Sequence, residues 1–273
     1  IAKAVGLPPA GGFREVIFTG SATEANNLAL RGVLNCCKSQ IANRKSISDS
    51  QFTHGEPRLI ISAIEHESIL ETAEDLKIEG VEVVYLPVQE EGSVDLRKLE
   101  SLLDERVVLV SVIYANNEIG TIEPIAEVSK IISDFKSRQE GKFGWPYPLF
   151  HTDASQAFQF LECNVKKLGV DLMTTSAHKI YGPKGVGALY VRNLPSKTYH
   201  LRPIITGGGQ EFSLRSGTEN VPLIVGFAKA VELIQKNKDR EAGRLRELSE
   251  YFLEGLKKIY PNIELSGPEA KRG

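Results

Sequence analysis

The chain is poor in the residues that staple or anchor a protein. Among 273 residues it has three cysteines, one methionine and one tryptophan, and aromatic residues make up 7%. Three is an odd number for a disulfide framework, and Cys36, Cys37 and Cys163 show none of the spacings that bind zinc. A reducing compartment suits them, with the cytoplasm as the default. Net charge is equally scarce, since 33 Lys and Arg against 35 Asp and Glu leave −2. That balance offers no basic stripe for a phosphate backbone and no polybasic patch for an anionic bilayer, which argues against direct nucleic-acid and membrane partners. The longest apolar run, Val107 to Ala115, is interrupted by Ser111 and is far short of the roughly 20 residues that span a membrane. An initiator Met is also lacking at Ile1, so a piece of a longer protein is expected, with an organellar address open if a transit peptide precedes it.

What is present is globular. Hydrophobic residues make up 41% and charged residues 25%, close to the averages for packed domains. Apolar, β-branched runs at Glu15–Thr19, Arg58–Ser62, Val81–Leu86, Val107–Tyr114, Leu149–Thr152, Asp171–Thr175 and Ala188–Arg192 predict buried strands. Helical spacing predicts helices over Thr23–Lys38, Glu67–Glu79, Asp95–Leu103 and Ile125–Lys136, and a short one ending at Leu168. Strands alternating with helices imply crossovers and a mainly parallel sheet covered on both faces, an α/β fold. Lys38–Glu56 and Arg138–Pro148 are polar and read as surface insertions. Pro222 opens a helix carrying Leu223, Phe227, Ala230, Val231 and Ile234, a second helix is expected near Arg240–Ile259, and a strand start near Pro261. The division expected is a large domain over 1–221 and the start of a smaller one over 222–273.

Three segments carry chemistry. In Thr174-Thr175-Ser176-Ala177-His178-Lys179-Ile180-Tyr181-Gly182 a strand runs into a turn, where Lys179 at the strand end is placed for desolvation and for attack on an aldehyde. A surface lysine beside a turn is the plainer alternative. In Phe150-His151-Thr152-Asp153-Ala154-Ser155-Gln156, Asp153 ends another strand, where it either pairs with the protonated ring nitrogen of pyridoxal phosphate (PLP) or caps the next helix. In Thr19-Gly20-Ser21-Ala22-Thr23-Glu24-Ala25-Asn26-Asn27 a turn enters a helix whose free N–H groups suit a phosphate. Lysine, acid and phosphate cradle together point to one cofactor. The His151-x-Asp153 pair is too little for a metal, and His54 and His200 read as solvent-exposed loop residues.

These runs, with Ala115-Asn116-Asn117-Glu118-Ile119-Gly120 and Gly207-Gly208-Gly209-Gln210-Glu211 followed by Arg215-Ser216-Gly217-Thr218, resemble the cysteine desulfurases. These are the NifS/IscS-like group of class V aminotransferases, and the resemblance covers nearly the whole chain in order. It implies PLP fold type I, with a mainly parallel seven-stranded sheet between helices and the start of a smaller C-terminal α+β domain. It implies Lys179 as the Schiff-base lysine and Asp153 as the acid facing the ring nitrogen. Ala22, Thr23, Ser176 and His178 match phosphate-binding positions, and Asn117 and Gln156 match contacts to the ring oxygen. His66 matches the histidine that stacks on the ring and assists proton transfer, and Thr218 a phosphate ligand reaching across a homodimer. Plainer readings remain: His66 as a loop residue, Asn117 as a turn residue, Gly207–Gly209 as a connector.

The resemblance further implies L-cysteine as substrate and a sulfur-acceptor protein, such as an iron–sulfur scaffold, as partner. One part of the pattern is missing. The family's acceptor cysteine lies in a mobile Ser/Gly-rich loop, and Cys36, Cys37 and Cys163 do not match that context. The acceptor and the substrate-carboxylate arginine are expected beyond Gly273, a substrate-pocket segment before Ile1, and low activity from this chain alone. Selenocysteine lyase of the same family, an aminotransferase of the same fold and a catalytically silent PLP-fold scaffold are the alternatives.

Overall fold

The computed structural model describes residues 1–44, 56–139, 147–192 and 201–264. Within them the apolar runs form β1 (Val16–Thr19), β2 (Arg58–Ser62), β3 (Glu82–Leu86), β4 (Val107–Ser111), β5 (Leu149–Asp153), β6 (Leu172–Ser176) and β7 (Gly187–Val191). They make one sheet in the order β1-β7-β6-β5-β4-β2-β3, in which β7 runs antiparallel to both neighbours and every other pair is parallel. Crossovers carry α1 (Ala22–Arg44), α2 (Glu67–Ile78), α3 (Leu96–Leu102), α4 (Ile125–Gln139) and the short α5 (Val165–Leu168). The mainly parallel seven-stranded α/β architecture expected from the sequence is the one observed.

Both faces of the sheet are covered, which explains why its strands read as continuous apolar runs. Side chains alternate along β2: Leu59 and Ile61 pack with Leu28 and Leu34 of α1 and Ile69 of α2, whereas Ile60 packs on the opposite face with Leu99 of α3 and Val128 of α4. Helix starts are set by side chains. Asp95 Oδ1 accepts from the N–H groups of Arg97 and Lys98 at 2.9 and 3.0 Å, and Asn164 does the same for α5.

The C-terminal part differs from expectation. After a short turn of helix, α6 (Gln210–Ser213), one 39-residue helix, α7 (Val221–Ile259), replaces the two helices expected after Pro222. Gly243 lies inside it, tolerated because glycine costs only about 1 kcal/mol in a helix. Lys229 and Lys236 both pair with Glu232, and Arg244 with Glu241, which supports the exposed turns. Its first half packs Phe227, Ala230, Val231 and Ile234 into the core, while Tyr251, Phe252 and Ile259 further on are exposed. Residues 261–264 form no strand. Likewise α1 runs past Lys38 to Arg44, so the first part of that polar stretch is helix rather than insertion. Residues 45–55 and 140–146, and with them His54, lie outside the described residues, as does His200. Among the described residues no helix is long and apolar enough to cross a membrane.

Polar groups are built into the core near the C-terminal ends of the central strands. His151 of β5 is fully buried between Ser111 Oγ, 2.9 Å from Nδ1, and Thr174 Oγ1, 3.1 Å from Nε2. Burial pulls it down to about 4, against the pull of Asp153. Glu65 is 5% exposed, its Oε1 accepting from Ser62 Oγ at 3.1 Å. Burial, and then the charge of Asp153, pushes its carboxyl up to about 8, opposed by bonds from Ser62 and the Ile113 backbone. Glu123 is pushed up by burial to about 7.

These groups tilt stability against pH in opposite senses. His151 contributes stability above its ordinary 6.5 that is lost as pH falls through about 4. Glu65, neutral when folded, contributes stability below its ordinary 4.5 that is lost as pH rises through about 8. Glu65→Gln keeps the acceptor for Ser62 and Ile113 and removes the titration. It should leave the urea-derived stability unchanged at pH 4, then raise it progressively to a plateau above pH 8, by up to about 5 kcal/mol at roughly 1.4 kcal/mol per pKa unit. A gain equal at pH 4 and pH 8 would show that Glu65 is not buried as a neutral acid.

Candidate active site

The parallel strands deliver their C-terminal ends to one edge of the sheet, where ligands of open α/β sheets bind. Antiparallel β7 brings its N-terminal end to the same edge. Thr19 of β1 is in register with Gly187, and Gly187 with Ser176 of β6. A Cβ on Gly187 would lie 2.6 Å from the carbonyl carbon of Ser21 and 2.8 Å from the nitrogen of Ala22. Its absence lets the turn entering α1 rest directly on the sheet edge.

That turn is a variant capping box, Ser21-x-x-Glu24. Ser21 Oγ accepts from the N–H of Glu24 at 3.1 Å, and the first helical bond runs from Ala25 N to Ser21 O at 3.1 Å. The N–H groups of Ala22 and Thr23 are left without an intrahelical acceptor, at the positive end of a 23-residue helix. Ser176, buried beside them, bonds through Oγ to His178 Nδ1 at 2.9 Å. Burial and the charges of Lys179 and Lys184 lower His178, which keeps it neutral at pH 7. This set suits a phosphate monoester.

Lys179 follows in a single 3-10 turn, His178–Ile180, closed by Tyr181 at φ 61°. The turn swings its side chain out of the sheet end, so Lys179 is exposed, contrary to the desolvation expected for a lysine at a buried strand end. Among the described residues it makes no hydrogen bond or ion pair, and its amine is free to move.

Asp153 is held differently. It is 5% exposed, with Oδ1 accepting from Ser155 N at 2.8 Å and Oδ2 from Asn26 Nδ2 at 2.8 Å. The first bond closes a local turn and does not cap the next helix, Ala157–Gln159, which has no side-chain cap, so the plainer reading of Asp153 is not met. The second comes across the sheet edge from α1. Two donors leave lone pairs on the carboxylate for a further N–H. Asn26 Nδ2 also reaches Ser68 Oγ at 2.8 Å, and Ser68 Oγ lies 2.9 Å from His66 Nδ1, so acid and histidine belong to one chain of hydrogen bonds. His66 is itself the N-cap of α2, accepting from Ser68 N at 3.1 Å, with its ring exposed.

Asn26 and Ser68 were not singled out in the sequence. Their signal is a fully buried amide among the apolar positions Ala25, Leu28 and Ala29 of α1, and a serine two residues past His66. The turn bonds expected of Asn117 are made by Asn116, whose Oδ1 accepts from Glu118 and Ile119 N–H and whose Nδ2 donates to Ile64 O. Asn117, Gln156 and Thr218 make no polar contact among the described residues. Cys36, Cys37 and Cys163 are buried free thiols, and burial pushes Cys37 and Cys163 up to about 12. Among the described residues no group of three His, Cys, Asp or Glu side chains could hold a metal ion.

Comparison with known proteins agrees with this geometry. The Dictyoglomus turgidum protein named cysteine desulfurase IscS is 42% identical over 272 residues, covering 100% of this chain and 60% of that protein. A solved NifS-like protein superposes with a TM-score of 0.80 at 36% identity, covering 99% of this chain and 65% of the other, and shares its fold. A structure titled SspA in complex with cysteine aligns at TM-score 0.69 and 35% identity over 85% of this chain and 58% of the other. The chain therefore spans roughly three fifths of the length of these relatives. The sequence model named aminotransferase class-V matches residues 10–273, and with the strand order and the sheet-edge lysine, acid and helix N-terminus already in place, the chain belongs to the class-V aminotransferase family.

Proposed function

We propose that the protein to which this chain belongs is a PLP-dependent cysteine desulfurase. It converts L-cysteine to L-alanine while an acceptor thiol becomes a persulfide, so that the sulfur atom is the group transferred. The observation that carries the reading is Asp153, buried at the end of β5 and held from two sides by Ser155 and Asn26, in one site with a free lysine and an open helix N-terminus. The names of the relatives supply the substrate.

When bound, PLP supplies an electrophilic aldehyde and an electron-withdrawing ring. The chain's residues supply the rest. The N–H groups of Ala22 and Thr23, Ser176 Oγ and His178 take the phosphate. Asp153 accepts the ring N–H, and Asn117 and Gln156 take the ring oxygen. Lys179 Nζ, exposed and without a bond to the described residues, would be the amine that holds the aldehyde and would move protons to and from substrate carbon. His66, kept in orientation by Ser68, would lie against the ring and would assist those transfers. Thr218 serves the phosphate of a second copy, which makes the working form a homodimer. None of Cys36, Cys37 and Cys163 suits the acceptor role, because all three are buried and burial raises each of them, Cys37 and Cys163 to about 12, whereas the thiolate is the reactive form. The exposed half of α7 begins the smaller domain, so that 1–221 form the cofactor-binding unit together with the first half of α7, whose Phe227, Ala230, Val231 and Ile234 pack into the same core. An iron–sulfur scaffold in the cytoplasm is the acceptor partner this reading favours.

The test uses the purified chain. PLP should produce an absorption band that L-cysteine shifts and borohydride fixes covalently, with the label on the Lys179 peptide by mass spectrometry. Lys179→Ala should abolish the labelling, and an undiminished label on another lysine would overturn the assignment. In the longer protein Asp153→Asn should lower turnover by about 10²-fold or more, as expected when a charge partner to the reacting system is lost, with little change in thermal midpoint.

A further inference from the structure

Glu24 raises an electrostatic problem that the phosphate cradle has to solve. It occupies the third position of α1, next to the Ala22 and Thr23 N–H groups, and a carboxylate there competes with any anion for the positive end of the helix. Its side chain is 18% exposed and does not extend into water. Oε2 folds back to accept from Gly20 N at 2.9 Å. Oε1 accepts from Arg215 Nε at 2.8 Å, and Arg215 Nη2 lies 3.3 Å from Oε2. A guanidinium from 191 residues away is thus docked side-on against the carboxylate.

The segment that brings Arg215 is itself forced into place. Glu211, Phe212 and Ser213 have φ of 46°, 59° and 66°, three consecutive left-handed residues without a glycine among them. Such strain persists only where the surroundings impose it. Here Glu211 Oε2 accepts from Phe18 N at 2.8 Å on β1, and Gln210 Oε1 accepts from Gly217 N at 3.1 Å. The charged groups facing Arg215 are Glu24 on α1 and Glu211 on its own segment, and Glu219 faces Glu211 in turn.

We propose that Arg215 is a positioning residue for the anion end of the site: by pairing side-on with Glu24 it cancels the carboxylate beside the α1 N-terminus and leaves the Ala22 and Thr23 N–H groups to a phosphate. Arg215 acts through Glu24 and touches no ligand in its own chain. The inference rests on the reading of this turn as the PLP phosphate site.

The experiment compares PLP with pyridoxal, which has the same ring and aldehyde and no phosphate, by absorbance titration of the full chain and its variants, with circular dichroism as the folding control. The wild-type chain should prefer PLP. Arg215→Gln should weaken PLP binding tenfold or more and leave pyridoxal within about twofold, because only the phosphate meets the uncovered charge. Glu24→Gln should bind PLP as tightly as wild type or tighter. The Glu24→Gln/Arg215→Gln double variant, which has lost both charges, should regain most of the PLP affinity, and inorganic phosphate should compete against PLP more weakly in Arg215→Gln than in wild type. A double variant as weak as Arg215→Gln, or equal losses of PLP and pyridoxal, would overturn the charge role. A wild-type chain without preference for PLP would overturn the phosphate reading itself, whereas a preference that survives Arg215→Gln would overturn only the role of the pair.

Discussion

The close approach of Gly187 to Ser21 and Ala22 is the constraint on which the rest of the site depends. β7 is the one strand that runs against its neighbours, and its N-terminal residue sits between the C-terminal ends of β1 and β6. With no Cβ there, α1 starts in contact with the sheet edge. The N–H groups at its first turn then face the same space as Ser176, the residue in register with Gly187. One turn further along the same helix, Asn26 arrives level with Asp153 and bonds to it. A helix displaced by a side chain at 187 would move both ends of the site together, the anion cradle and the acid.

A sheet edge with this many buried polar groups is expensive in stability unless each group finds partners. The fold answers with cross-strand bonds. His151 is satisfied by Ser111 on one side and Thr174 on the other, linking β4, β5 and β6 just behind Asp153. Thr152 Oγ1 donates to Val112 O. Glu65 lies next to Asp153 and is kept without charge by its burial, so that Asp153 is not faced by a second carboxylate across a medium of low dielectric. Neutral His151, neutral Glu65 and the amide of Asn26 form the inner wall of the site. They set the field at one carboxylate and hold it still, at the cost of opposing pH slopes in stability.

Much of this was legible from the sequence. Buried strands of a doubly covered sheet are short apolar runs, and all seven were placed within a few residues, because such runs leave little room for another reading. The proline that opens α7 is a local signal and was equally plain, whereas the caps at Asp95 and Asn220 come from the structure. What the sequence does not carry is contact between distant residues. Nothing in Asn26 or Ser68 announces that they join Asp153 to His66, since 127 residues separate Asn26 from the acid. The same holds for Arg215 and Glu24. The joined helix α7 was read as two for a different reason: the apolar spacing ends at Ile234 and the next helix was expected near Arg240, while in the structure the turns between them are exposed and carry ion pairs.

The site divides into a fixed half and an open half, and the division follows what each group has to do. Asp153, Ser176 and Asn26 are buried and bonded; Lys179, His66, His178, Asn117 and Thr218 are exposed. Asp153 is clamped by backbone and amide donors, and on the proposed reading this keeps its charge opposite one ring atom. On the proposed reading the lysine is first a nucleophile and then a proton carrier, and a bond to a neighbour would oppose each role. Four methylenes on a single 3-10 turn give Lys179 its reach, and the glycines at 182 and 185 shape the loop that follows without adding side chains to the space it sweeps. Glu24 and Arg215 belong to the fixed half although they lie near its rim, because a charge that screens another is useful only at a constant distance. The fixed parts come from the sheet, α1 and the segment docked on them, and the open half carries an amine that makes no bond among the described residues.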